Sequence, residues 1–117
     1  MPAYNYACAL TGYMPDTLSS SMIDAAHIHS FANSRNNNPT NGIALSKNAH
    51  WLFDQGLWTI DDNYRVIVAL GKFSESSPND RALKDYHGEQ ILLPEDIKLR
   101  PNPVQLAWHR KNRFLGV

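Results

Sequence analysis

The chain of 117 residues holds a single cysteine, Cys8. One thiol cannot build an intramolecular disulfide framework, and it cannot supply a zinc finger that needs several cysteines. A reducing cytoplasm is the expected location. No apolar run approaches the ~20 residues that a membrane helix requires, so an integral membrane protein is not expected. The opening Met1-Pro-Ala-Tyr-Asn-Tyr6 lacks a basic patch followed by an apolar stretch, so no secretion signal is expected. Internal repeats are missing too. So is net charge: eleven Lys/Arg stand against eleven Asp/Glu.

What remains is an ordinary globular balance, with 43% hydrophobic and 19% charged residues. The length fits one domain spanning residues 1–117. The zero net charge hides an uneven distribution. Residues 1–96 carry six Lys/Arg and all eleven Asp/Glu, a net −5, whereas residues 97–117 carry five Lys/Arg and no acid, a net +5. Such asymmetry suits a polyanionic partner, although a solvated helix end would look similar.

Turn chemistry divides the chain into short elements. Tyr4 to Tyr13 reads as a strand or hairpin arm, and Met22 to Phe31 as a strand. The Asn-rich stretch Asn33 to Asn41 is a loop, since Asn and Pro at this density hold neither helix nor central strand. Gly42 to Ser46 fits a buried strand. Ser46 is then an N-cap for a helix over Lys47 to Gln55, with Ala49, Leu52 and Phe53 as its apolar stripe and Gly56 as a left-handed cap. Leu57 to Ile60 and Tyr64 to Leu70 look like strands about the Asp61-Asp-Asn63 turn. Asp80 to Tyr86 is a short helix stopped by Gly88, and Gln90 to Leu93 a strand closed by Pro94. Asn102 followed by Pro103 opens a last, basic helix over about 103–114, with Val104, Ala107 and Trp108 on one face. Helices and strands mix without a repeating rhythm, which predicts an α+β fold rather than a doubly wound sheet.

Five histidines are available: His27, His29, His50, His87 and His109. His50 and Asp54 are four apart on the capped helix, so their side chains share one face. Imidazole and carboxylate so placed can bind one cation, and they can equally form a simple surface pair. His27 lies in an apolar strand, where its ring would face whatever packs there; the Lys47–Gln55 helix is the natural candidate. A core histidine bonded to a carbonyl fits the same position. Asn41-Gly42 can be a plain turn, or its amide can tie the loop to itself through backbone bonds.

The run Cys8-Ala-Leu-Thr-Gly12, then Ala25-Ala-His-Ile28, Asn41-Gly-Ile-Ala-Leu45 and His50-Trp-Leu-Phe-Asp-Gln-Gly56 resembles the HNH endonucleases, in particular the branch of bacterial restriction-type and other defence nucleases. The resemblance covers about residues 6–60, and the tail Leu106 to Phe114 is similar to the end of the same enzymes. It implies a ββα-metal (His-Me finger) core over about 20–56, a single divalent cation, and hydrolysis of phosphodiester bonds in DNA, sometimes RNA. Carried onto this chain, His27 matches the general base, Asn41 the residue that holds the loop and orients the base, and His50 the closing histidine, a metal ligand. Asp54 falls where relatives often carry a second ligand. One position departs from the pattern: many relatives have a metal-binding Asp or His where this chain has Ala26. Asp24 lies on the strand face of Ala26, and His29 on that of His27, and neither is a clean replacement.

The implied metal shell is His50 and Asp54 completed by waters and phosphate. Magnesium tolerates such a shell, and a histidine ligand also admits manganese, nickel or zinc. The basic tail would then serve DNA through Arg100, Arg110, Lys111 and Arg113 on flanking phosphates. Trp51 and Trp108 read as core aromatics. A domain this small leaves little room for sequence readout, so a homodimer or a fused recognition domain is expected, and no membrane partner. Two other readings remain open: a non-catalytic nucleic-acid-binding module with a degenerate HNH site, and a structural interaction domain.

Overall fold

The computed structural model describes residues 4, 7–15, 23–79 and 81–116. Met22 and Asp80, where two expected elements begin, lie outside these residues, as does the 20–22 start of the expected core. Among the described residues no helix is long and apolar enough to cross a membrane.

The architecture is α+β, as the lack of a strand–helix rhythm predicted. Strand β1 (Ile23–His27) pairs antiparallel with β2 (Gly42–Ser46) in the register Asp24 to Leu45, Ala26 to Ile43 and His27 to Gly42. Between them the chain makes a one-turn helix, α1 (Phe31–Ser34), and a 3-10 turn over Pro39–Asn41. The polar loop therefore has local order that its composition did not suggest, because its own side chains tie it down. Asn38 Oδ1 accepts from Thr40 N at 3.0 Å, and Ser34 Oγ donates to Ser30 O at 3.0 Å.

β2 runs straight into helix α2 (Lys47–Asp54), which packs on the hairpin. Ser46 caps it as expected, its hydroxyl accepting from Ala49 N at 3.4 Å. Ala49 and Phe53 are buried and Leu52 is partly so, which is the predicted stripe. Gly56 leaves the helix at φ +76°, a conformation that favours glycine. A Cβ there would also meet the Arg113 carbonyl oxygen at 1.9 Å. Thus β1, β2 and α2 form the ββα unit.

A second hairpin follows, β3 (Trp58–Ile60) with β4 (Val66–Val68). Asp61 Oδ1 accepts from Asn63 N and Arg65 N and so fixes the intervening turn. Helix α3 (Pro103–Asn112) starts where predicted, with Asn102 Oδ1 accepting from Val104 N at 2.8 Å. Its inner face is not the one predicted. Leu106 and His109 are buried, whereas Ala107 is exposed and Val104 is 70% exposed. His109 can turn inward because both ring nitrogens find partners: Nε2 donates to Phe53 O at 3.0 Å and Nδ1 accepts from Thr59 Oγ1 at 2.7 Å. The ring also stacks on Phe53, with centroids 3.7 Å apart. α3 is thereby pinned to the last turn of α2.

Two expected strands are not formed. The described part of Tyr4 to Tyr13 is turn and coil, attached by single backbone bonds such as Ala9 N to Ala44 O at 2.7 Å. In Gln90 to Leu93 only Gln90 makes a bridge, to Arg65. The expected short helix ending at Tyr86 is a 3-10 helix over Leu83–Tyr86. The core between these pieces holds Ile43, Leu45, Phe53, Trp58, Ile60 and Leu106.

Candidate active site

The capped helix brings His50 and Asp54 together: Nε2 lies 3.1 Å from Asp54 Oδ2. A third carboxylate joins them from β1. Asp24 Oδ2 is 2.9 Å from His50 Nδ1, and Asp24 Oδ1 takes the Lys47 ammonium at 2.7 Å. The strand register explains this. Asp24 pairs with Leu45, one residue before the cap of α2, so its side chain abuts the first turns of that helix. The sequence placed Asp24 on the strand face of Ala26 without placing either beside a particular helical residue.

Charge in this row is strongly coupled. The hydrogen bond to Asp54 and then that to Asp24 outweigh the opposing effect of burial and raise His50 to about 9. Burial by itself would push the Asp24 carboxyl upward, but the hydrogen bonds from Lys47 and His50 prevail and hold it below the usual carboxylate range. A proton on Nε2 and a divalent cation are alternatives for the same gap between His50 and Asp54. Two donors on one cation at ~2.1 Å each, near a right angle, stand about 3 Å apart, so the observed pair has a fitting span and donor chemistry. Among the described residues no group of three or more His, Cys, Asp or Glu is placed to hold a metal ion. Ala26 is buried and adds no ligand.

His27 is positioned by other residues. By strand alternation it lies on the face of β1 opposite to Asp24, and its contacts are made in the loop after β1. Its Nε2 is 2.7 Å from Asn37 Oδ1, and its ring stacks on Phe31 at 5.5 Å. An amide oxygen only accepts, so Nε2 carries the proton of the neutral ring and Nδ1 the lone pair. Among the described residues His27 shares no hydrogen bond with His50 or Asp54. Asn41 is fully buried, and its amide makes three bonds: Oδ1 accepts from His29 N at 2.8 Å, and Nδ2 donates to His29 O and Asn36 O, both at 2.9 Å. It clips the end of β1 to the loop that carries Asn37. Sequence reasoning missed Asn37 because the loop held several equivalent asparagines. His29, by contrast, is bound to α3, with Nδ1 3.0 Å from Gln105 Oε1 and its ring 3.9 Å from that of Trp108.

The four basic residues of the tail differ in freedom. Arg110 donates to Ile60 O at 2.7 Å and to Asp62 Oδ1 at 2.8 Å, and Arg100 Nε donates to Pro94 O at 2.9 Å. Arg113 lies over the Trp108 ring at 5.1 Å, and Lys111 is exposed. Trp108 is half-buried, while Trp51 is 59% exposed on α2 beside His50 and is no core aromatic.

The ββα fold agrees with comparison to known proteins. Residues 8–61 match the HNH_2 family, described as HNH endonuclease. That segment is similar to the HNH endonucleases, as the sequence motifs implied. The chain is similar in structure to a modification-dependent restriction endonuclease, TagI, with a TM-score of 0.63 and 18% identity. The likeness covers 94% of this chain and 34% of that one, so the chain spans about a third of its length. No curated protein matches.

Proposed function

We propose that this chain is a metal-dependent endonuclease domain that hydrolyses phosphodiester bonds in DNA, of the kind used in restriction or defence. The observation that carries this reading is the His50 Nε2 to Asp54 Oδ2 spacing of 3.1 Å on α2, inside the segment that matches the nuclease family. His50 and Asp54 hold the divalent cation, magnesium first, with manganese, nickel or zinc as further candidates. Bound there, such an ion supplies charge neutralisation at the phosphate and at the departing 3′ oxygen.

The chain's own residues do the rest. His27 takes the proton from the attacking water at Nδ1 while Asn37 holds Nε2. Asn41 fixes the loop that carries Asn37 and so acts on the base through its support. Lys111 and Arg113 contact flanking phosphates, with Arg100 and Arg110 contributing charge from their structural positions. A homodimer or a fused recognition domain supplies sequence choice. Plasmid incubated with magnesium or manganese is expected to be cut, and EDTA to stop the cutting. His27→Ala is expected to slow it by about 10²–10⁴-fold, the usual range for a lost general base.

The buried Ala26, where many relatives carry a ligand, favours a second reading: a nucleic-acid-binding module with a degenerate site. DNA retarded on a gel, with no cleavage in any of these ions, would establish it in place of the first.

A further inference from the structure

The His50 ring has a carboxylate on each side, and the two sides are not equivalent. On one, Asp24 Oδ2 meets Nδ1 at 2.9 Å; on the other, Asp54 Oδ2 meets Nε2 at 3.1 Å. The Lys47 ammonium sits 2.7 Å from Asp24 Oδ1, so a second cation on that side would face a positive neighbour. On the other side, Asp54 is 54% exposed and His50 is its one ionic partner among the described residues. Asp24 is therefore occupied from two directions, while Asp54 opens to solvent and substrate. Because Nδ1 and Nε2 lie on different edges of the ring, an ion on Nε2 is out of reach of a carboxylate bonded to Nδ1.

We infer that Asp24 is a positioning residue of the metal site: from β1 it holds the His50 ring through Nδ1, so that Nε2 faces Asp54 and the divalent cation binds on the Asp54 side. The inference rests on the metal-site reading above and adds the residue that orients its ligand. Rotation of an imidazole about its second side-chain torsion is broad and roughly two-fold, so a ring on a partly exposed helix face has no fixed edge of its own. A carboxylate behind a ligating histidine fixes ring edge and tautomer and raises ligand basicity, and its loss usually weakens metal binding by about 10–100-fold. Here the tie crosses from strand to helix, and the strand register that sets it is given by Asp24 opposite Leu45.

The test uses zinc, which is diamagnetic and binds imidazole well. Calorimetric titration of the whole chain would compare the native protein with Asp24→Ala, the near-isosteric Asp24→Asn and Lys47→Ala, taking His50→Ala as baseline and thermal melting as a check of folding. Asp24→Ala is expected to raise the zinc Kd by about 10–100-fold. Lys47→Ala, which removes only the ion pair, is expected to leave it nearly unchanged. Nitrogen-15 spectra of the zinc-loaded native protein are expected to show a proton retained on Nδ1 of His50. Asp24→Asn, whose amide oxygen can still accept from Nδ1, is expected to keep more of the affinity than Asp24→Ala. The assignment is overturned if folded Asp24→Ala binds zinc as the native chain does, or if the retained proton is on Nε2. A native chain that binds zinc no better than His50→Ala sinks the metal site itself and this assignment with it. Zinc bound through Nε2 with no DNA cleavage would overturn the nuclease reading and leave Asp24 in its role.

Discussion

His109 and His50 each have oxygen partners at both ring nitrogens, yet their surroundings move them in opposite directions. Burial dominates at His109 and lowers it to about 4, despite the bond to Phe53 O. Carboxylates dominate at His50 and raise it to about 9. The consequences for stability have opposite signs. For His109 the unfolded chain, with an ordinary value near 6.5, takes up the proton first. Its contribution is thus complete above about pH 6.5 and is lost as pH falls toward 4, at most about 3 kcal/mol. For His50 the contribution is complete below about pH 6.5 and fades as pH rises through 9. Urea unfolding in EDTA should therefore show a stability maximum near pH 6.5, and His109→Gln should flatten the acid side. A midpoint that does not move between pH 6.5 and 4.5 would contradict the His109 argument. The sequence showed His50 with Asp54, because helical spacing alone joins them. It did not show the neutral, buried role of His109, which depends on Thr59 and Phe53 from distant parts of the chain.

Among elements, β1, β2 and α2 were legible because each carries its own signal: an apolar run, a serine cap, a glycine stop. The segments around Tyr4 to Tyr13 and Gln90 to Leu93 have the same apolar character. Strand identity, however, needs a partner ladder, and these segments find only isolated bonds, as at Ala9 and Gln90. Apolar pattern cannot report whether a ladder exists. The exit of α2 shows how local and tertiary demands coincide. Gly56 is required by its positive φ and again by the Arg113 carbonyl pressed against it, and its own carbonyl accepts from Leu115 N at 2.9 Å. Gly56→Ala should thus cost more than the ~1–2 kcal/mol typical of a left-handed alanine, because the 113–115 segment must also move. Thermal melting would read this as a loss of several degrees; a shift of a degree or less would refute the close approach.

At the scale of the whole molecule, the basic tail was legible as charge but not as surface. Arg110 and Arg100 spend their donors inside the protein, while Lys111 stays exposed and Arg113 rests on Trp108. DNA affinity should accordingly depend on salt mainly through the last two. Each phosphate contact contributes about −0.9 to the slope of log affinity against log salt, so Lys111→Ala with Arg113→Ala should flatten it by about 2. An unchanged slope in fluorescence-anisotropy titrations would place the DNA elsewhere. The pin between α3 and α2 has a wider effect. His109 grips the carbonyl next to Asp54 and is itself braced by Thr59, so the helix bearing the His50–Asp54 pair is steadied from a hairpin and from a second helix. In a screen for inactive variants, Thr59, His109 and Leu106 would score beside the true reactants, and activity loss by itself would not distinguish the foundations from the tools.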